Sequence, residues 1–486
     1  MPISVLPNFI MAMPEIILAV VLMVLLIYGA FRGDAATAMI TKIMVVTFAV
    51  LAYLYVGMEP VRMEGFNGLF VTGPFIAFSK VFMLLTAAAV LVVSRPYLAH
   101  GSIERFEYPV LIGLSVLGMI LMVSSNNFMS FYVGLEMQSL SLYVLAAIQR
   151  DNARSSEAGL KYFILGAIAS GLLLFGISLV YGFTGSISFP VVTVTLMETG
   201  PHSAVGAVIG MCFILAAMAF KISAAPFHMW TPDVYEGAPT SVTAFFSVVP
   251  KIAGLVIFIR ILVEPFGPFI DEWRQIVTFL AVLSMAVGAF AGLIQTNIKR
   301  LLAYSSISHV GYALIGVVAS GQGGISSVLV YLMIYAVMNV AVFTMILSLR
   351  KGDTATEMIE DLSGLAQTDK RGAYIMAALM FSMAGIPPLA GFFGKFAIFN
   401  AAVAENLLWL AVYGVVMSVV SAYYYLRIIK VMFFDIAGDA VRVDLHRGQK
   451  IVLYVSVLSL LFFAIFAGSI FDMADYFAGI LPYRQG

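Results

Sequence analysis

Runs of about 20 apolar residues, candidates to cross a hydrocarbon core as helices, recur fourteen times along this chain. The first seven lie near 11–30, 43–58, 75–94, 109–123, 127–148, 162–183 and 203–225. The second seven lie near 240–259, 275–296, 301–319, 325–349, 373–399, 406–426 and 451–471. Lipid offers no hydrogen bonds to a backbone, so only helices or closed barrels span it, and runs of this length are about twice what a barrel strand needs. The expected fold is an all-α polytopic membrane protein of about fourteen transmembrane helices. Composition agrees: 62% of residues are hydrophobic and 11% charged, against about 45–50% apolar in soluble domains.

Basic residues predict an orientation. Eighteen of the 26 Lys and Arg fall on connections after odd-numbered spans, and four (Arg62, Arg260, Arg274 and Arg484) fall on the opposite side. This predicts both termini outside, with the odd connections in the cytoplasm. No basic n-region precedes Arg32, so the first run is expected to remain as a span rather than act as a signal peptide. Acidic and basic residues balance at 26 each, which gives no electrostatic argument for nucleic acid. One cysteine, Cys212, excludes a disulfide or thiolate cluster within the chain. Five scattered histidines show no His-x3-His or carboxylate cluster at ligand spacing, so neither a metal nor a bound cofactor is expected.

Two spans are interrupted. The seventh carries Lys221 shortly before Pro226, and the twelfth contains Gly385, Pro387, Pro388, Gly391, Gly394 and Lys395. Spans 4–8 and 9–13 form two units of five in which the fourth member is the broken one. An odd-numbered unit re-enters the membrane from the other side, so the repeat is expected to be inverted, and paired broken helices point to an ion path. The expected divisions are 1–100 as an N-terminal three-helix segment, 108–263 and 273–430 as the two five-helix repeats, and 431–486 as a C-terminal helix.

Charges placed within spans carry the functional reading, because each costs about 2.5–3.5 kcal/mol to bury at the helix centre. Glu136 falls near the middle of span 5 and is the acidic residue so placed; Lys221 and Lys251 are its candidate partners. Lys251 sits at the midpoint of span 8, too deep to reach an interface, and Lys395 lies beside the second break. Burial disfavours the charged form of any ionisable group, so such residues are suited to gaining and losing a proton. Lys221, toward the end of its run, can also be read as snorkelling, and Lys80, near the start of span 3, is expected to snorkel. His309, among hydroxyl residues in span 10, and His228, just past the first break, are candidate relays or hydrogen-bonded core residues. Gly288 and Gly292 match a small-residue packing motif that 41 glycines produce by chance, and it carries no functional reading. Together these residues describe a proton-transfer chain without redox ligands. Moving one charge against 100 mV needs about 2.3 kcal/mol, so the energy must come from elsewhere.

The segments Gly134-Leu135-Glu136, Lys221-x4-Pro226-Phe227-His228-x-Trp230-x-Pro232-Asp233-x3-Glu236-Gly237-Ala238-Pro239-Thr240, Pro250-Lys251 and Gly385-Ile386-Pro387-Pro388-x2-Gly391-Phe392-x2-Lys395 together resemble the antiporter-like membrane subunits of respiratory complex I. The likeness covers nearly the whole chain. Lys395 stands where one branch of that family would show glutamate, and the chain stops soon after span 14 where another continues into a long lateral helix; it is most similar to the remaining branch. The resemblance implies that Glu136 and Lys221 form the coupling pair, Lys251 connects, and Lys395 gates the outer side. It also implies a bacterial inner membrane, other membrane-arm subunits as partners, and NADH, FMN, iron-sulfur clusters and quinone on those partners. Tyr423, Tyr424 and Tyr425 stand in span 13 where a further lysine would complete the repeat. An Mrp-type cation/proton antiporter and a non-pumping scaffold are the competing readings. A sodium site needs more carboxylates than one, and a scaffold packs at lower cost with neutral polar residues.

Overall fold

The computed structural model describes residues 9–58, 61–101, 103–352, 354–436 and 441–481. Arg484, counted above among the outer basic residues, lies outside them. Each of the fourteen apolar runs is largely helical, the twelfth in two pieces. The first segment holds α1 (Met13–Arg32), α2 (Thr37–Val56) and α3 (Pro74–His100). The first unit follows with α4 (Glu107–Val123), α5 (Phe128–Ala146), α6 (Ala153–Thr184), α7 (Phe189–Ser203), α8 (Val205–Ile222), α9 (Trp230–Gly237) and α10 (Thr240–Val263). The second contains α11 (Ile270–Gly292), α12 (Ile298–Val318), α13 (Gln322–Ser348), α14 (Lys370–Ala384), α15 (Ala390–Ala404) and α16 (Leu408–Phe434). The chain then forms α17 (Arg447–Leu461) and α18 (Phe463–Ala478), bent by 84° at their junction.

Among the described residues nine helical segments are long and apolar enough to cross a membrane unaided, Met13–Val56 counting as one, and the bent α17 and α18 pair makes a tenth. The remaining runs fall short for physical reasons. Helices α4 and α15 have 17 and 15 residues, and the twelfth run is divided between α14 and α15 at Gly385. Helix α7, with an internal Gly200–Pro201 kink, was not expected from the sequence; Val and Thr dominate it, and it lies between two spans. Two small sheets also went unforeseen: β1 (Met63–Gly65) pairs antiparallel with β2 (Phe70–Thr72), and β3 (Leu349–Lys351) lies between β4 (Thr354–Ala355) and β5 (Val441–Val443).

The five-helix repeat is visible in the backbone. Asn127 caps α5 by accepting from the Met129 and Ser130 amides, and its segment bridges Ser188, with Phe128 N donating to Ile187 O at 3.0 Å. The same arrangement recurs 170 positions later: Asn297 caps α12, its segment bridges Met358, and Ile298 N donates to Glu357 O at 2.8 Å. The first of these junctions follows an even-numbered span and the second an odd one, so the copies face opposite sides. The helix crossing before each cap repeats too. A Cβ on Gly118 would stand 2.5 Å from Gln138 N and 2.8 Å from Gly134 O, and one on Gly288 would stand 2.5 Å from Ser308 N and 2.6 Å from Tyr304 O. Only glycine permits that backbone approach. The Gly288 motif is thus a genuine helix contact.

Helices α10, α12 and α13 form the centre and are buried along nearly all their length. Helix α13 is enclosed by α3, α10, α15, α17 and α18, so the late helices cover the middle of the bundle. Phe78 of α3 stacks on Phe477 of α18 with centroids 4.7 Å apart.

Candidate proton path

The Lys221 side chain is buried at the C-terminal end of α8, one turn before the break. Its Nζ donates to Ser139 Oγ at 2.7 Å and to Tyr143 OH at 3.3 Å. Both acceptors lie on α5, three and seven positions after Glu136, so one face of α5 carries Glu136, Ser139 and Tyr143. Glu136 itself is half-buried and accepts from Ser170 of α6. Lys221 of α8 therefore rests on the α5 face that carries Glu136, without forming an ion pair with it among the described residues. Neutral hydroxyls of α5 hold the Lys221 ammonium. Burial of Lys221 removes the snorkelling alternative.

Lys251 is sealed inside α10. It donates to Ser306 Oγ of α12 and lies 5.3 Å from the centre of the Tyr235 ring. A small cavity between α10, α12 and α13 is lined by Lys251, His309, Tyr331 and Tyr335. His309 is held from both sides: Nδ1 is 2.5 Å from Tyr331 OH, and Nε2 is 3.2 Å from Tyr425 OH. Lys395 folds back on the second break. Its Nζ donates to Met383 O at 3.1 Å, Ala384 O at 3.0 Å and Ser418 Oγ at 2.8 Å. The two carbonyls are free because α14 stops there, turned by Gly385 at φ 86°. The break thus supplies the acceptors that keep a lysine in the bundle.

His228 is not brought to this line. Its Nδ1 is buried without a hydrogen-bond partner among the described residues. The reading of Lys80 as snorkelling is overturned, since it is fully buried and paired with Glu15 at 2.5 Å, under the Tyr55 ring. Glu136 is likewise not the sole acidic residue held in the bundle. Glu15 is buried, and so is Glu264, which forms a two-toothed pair with Arg260 at 2.7 and 2.8 Å. Sequence reasoning missed these pairs because each charge sits near a span end, where solvent is the default partner. It also missed the hydroxyl partners Ser139, Ser170, Ser306, Tyr331, Tyr425 and Ser418, whose only signal is a hydroxyl recurring at helical spacing within an apolar run.

On the side of the odd connections, Asp233 of α9 bridges Lys161 of α6 at 2.8 Å and Arg300 of α12 at 2.7 Å. Glu236 adds a second contact to Arg300 at 3.1 Å. This short helix after the first break is pinned between the two units. No group of three His, Cys, Asp or Glu able to hold a metal occurs among the described residues.

An all-helical bundle with two broken helices and lysines lodged against hydroxyls is the architecture of a cation-translocating membrane subunit. The chain belongs to the NADH:quinone oxidoreductase/Mrp antiporter transmembrane family, whose match spans residues 125–421. It is 50% identical to the NADH-quinone oxidoreductase subunit N of Parvibaculum lavamentivorans over 96% of each chain. Among solved structures it is similar to a chain of respiratory complex I from Thermus thermophilus, at 28% identity and TM-score 0.79, covering 95% of this chain and 99% of that one. A chain of the Mrp complex from Dietzia shares the fold at 21% identity and TM-score 0.83, covering 96% and 98%.

Proposed function

We propose that the chain is the N-type proton-translocating membrane subunit of a bacterial NADH:quinone oxidoreductase. The observation that carries this reading is the set of buried lysines, Lys221, Lys251 and Lys395, each bound to a serine hydroxyl on a neighbouring helix. Lysines that pair with carboxylates are fixed as charges; lysines that rest on neutral hydroxyls can exchange a proton without leaving a buried counter-charge unpaired. Glu136 biases Lys221 along the shared α5 face, Lys251 and His309 carry the proton through the centre, and Lys395 releases or receives it at the second break. His228 stands outside this path. NADH, FMN, iron-sulfur clusters and quinone belong to partner subunits in this reading, and the other membrane-arm subunits deliver the drive. The distribution of Lys and Arg supports a periplasmic position for both termini. The two repeats are taken as 108–263 and 273–430.

The test is Lys221→Ala in inverted membrane vesicles, with NADH oxidation, proton uptake and assembly of the complex followed together. Loss of pumping with an intact complex supports the path. Unchanged pumping per NADH removes Lys221 from it and favours a scaffold. The shared Mrp fold keeps sodium/proton exchange as the second reading, which a sodium-dependent pH change in the absence of NADH would support.

A further inference from the structure

Lys251 and His309 line a common cavity, but between His309 and Lys395 no further charged side chain intervenes among the described residues. Span 13, where the repeat invites a lysine, instead presents Ser418, Ser421 and Tyr425 along one face, at three- and four-residue spacing. They meet Ser305 and Ser308 on α12. Tyr425 OH lies 2.5 Å from Ser305 Oγ as well as 3.2 Å from His309 Nε2. Ser308 Oγ and Ser421 Oγ are 3.4 Å apart, and Ser418 Oγ receives Lys395 Nζ at 2.8 Å. These are three rungs along α16, two to α12 and the third to Lys395 of α15, each a helical turn from the next on α16. A turn separates side chains by about 5–6 Å, too far for direct transfer.

Two hydroxyls occupy those gaps. Among the described residues, Tyr424 OH and Tyr312 OH are both buried without an aligned hydrogen-bond partner. Tyr424 OH faces Ser305, Tyr425 and Ser421, between the first and second rungs. Tyr312 OH faces Ser308, Ser421 and Ser418, between the second and third, and its ring centre lies 5.1 Å from Lys395 Nζ. Leaving a hydroxyl buried and unbonded is unfavourable, so two in one strip need a reason. An O–H fixed to one acceptor cannot rotate; these two can turn among three serine or tyrosine oxygens each.

We propose that this hydroxyl ladder carries the proton between His309 and Lys395, with Tyr425 as the first rung and Tyr424 and Tyr312 as the rotating links. The inference rests on the proton-translocating reading above. Serine and tyrosine hydroxyls donate and accept at once. In one passage the Nε2–H bond of the His309 imidazolium breaks as an O–H forms on Tyr425, whose own proton moves to the next oxygen. Each hydroxyl in turn gains one proton and gives one up, and the last forms an N–H on neutral Lys395. The net change is one proton moved, a neutral imidazole and an ammonium, with every hydroxyl restored and ready to rotate back. A neutral ladder also avoids the desolvation cost of another lysine in span 13.

Tyr312→Phe and Tyr424→Phe separate this from a structural role, because each removes a hydroxyl that holds no aligned bond. The ladder predicts NADH-driven pumping in inverted vesicles about tenfold slower in either variant, with the thermal stability of the assembled complex unchanged or raised. Tyr423→Phe, on the lipid-facing neighbour, should pump normally. Lys251→Ala, measured alongside, tests the underlying reading: normal pumping there overturns proton translocation itself. If Lys251→Ala stops pumping while Tyr312→Phe and Tyr424→Phe pump at the parent rate, translocation stands and the ladder is overturned. Should one tyrosine variant not assemble, the other decides by the same outcome, with Ser421→Ala as a third site on the second rung.

Discussion

Lys80 and Glu15 form an ion pair across α3 and α1, 2.5 Å apart and closed off from the surface, with Phe70 and Tyr55 over the ammonium. It belongs to the N-terminal segment and lies apart from the Glu136 to Lys395 line. Removing one partner of such a pair leaves a buried charge, at a cost of about 3–5 kcal/mol, whereas replacing both with apolar residues of similar volume is often neutral. Lys80→Met alone should therefore lower the unfolding temperature of the purified complex, and adding Glu15→Leu should restore most of it. Equal loss in the single and double variants would mean that the pair is not what the segment's packing depends on.

The two histidines should behave differently. His309 joins Tyr331 and Tyr425, so His309→Gln should slow proton uptake in vesicles about tenfold, equivalent to about 1.4 kcal/mol of barrier. His228 has no side-chain bond to the line, and His228→Ala should stay within about twofold of the parent rate. A larger loss from His228→Ala would bring that residue into the path.

The spans and both breaks were legible because bilayer thickness fixes run length and proline breaks a ladder of hydrogen bonds whatever surrounds it. Lys251 and Lys395 were legible as buried because their neighbours in sequence are apolar on both sides. Lys80 was misread for the opposite reason: it lies near a span end, and its partner Glu15 is 65 positions away. The hydroxyl partners were illegible for a related reason. Ser139, Ser306 and Ser418 are unremarkable residues of apolar helices until the fold sets a lysine opposite each. Helix α7 shows a third limit, since its alternation of Val and Thr fits a strand as well as a helix.

Asp233 supplies a pH dependence with a definite sign. Partial burial raises its pKa, but the bonds from Lys161 and Arg300 outweigh this and hold the carboxyl below the usual aspartate range. A depressed folded-state pKa contributes stability that is fully present above about 3.9 and is lost as pH falls through the lower folded value. The clamp on α9 should thus be insensitive to pH between about 5 and 8 and loosen only in acid. Asp233→Asn should cost about 1 kcal/mol or less, given that its partners are part-exposed, and should remove that acid-sensitive component from thermal unfolding scans.

The equivalent glycines should fail alike. Gly118→Ala and Gly288→Ala each drive a Cβ to 2.5 Å from a backbone nitrogen of the next helix, so the α4–α5 or α11–α12 pair must separate. Overpacking of this kind costs about 1–3 kcal/mol. Reduced assembly of the complex, seen on native gels, is expected from each; full assembly from one and not the other would show that the crossings are matched in geometry but not in tolerance.

Helices α17 and α18 follow every charged member of the path along the chain, yet they cover α13, the helix that presents Tyr331 to His309. During synthesis the N-terminal parts of a chain are available to fold first. Here α13 is synthesised before the bent pair that covers one of its sides and meets Phe78 of α3. A ribosome stalled before residue 447 would leave a chain bearing every charged member of the path but lacking the two helices that cover one side of α13. A chain interrupted there would hold its lysines in a bundle open on one side.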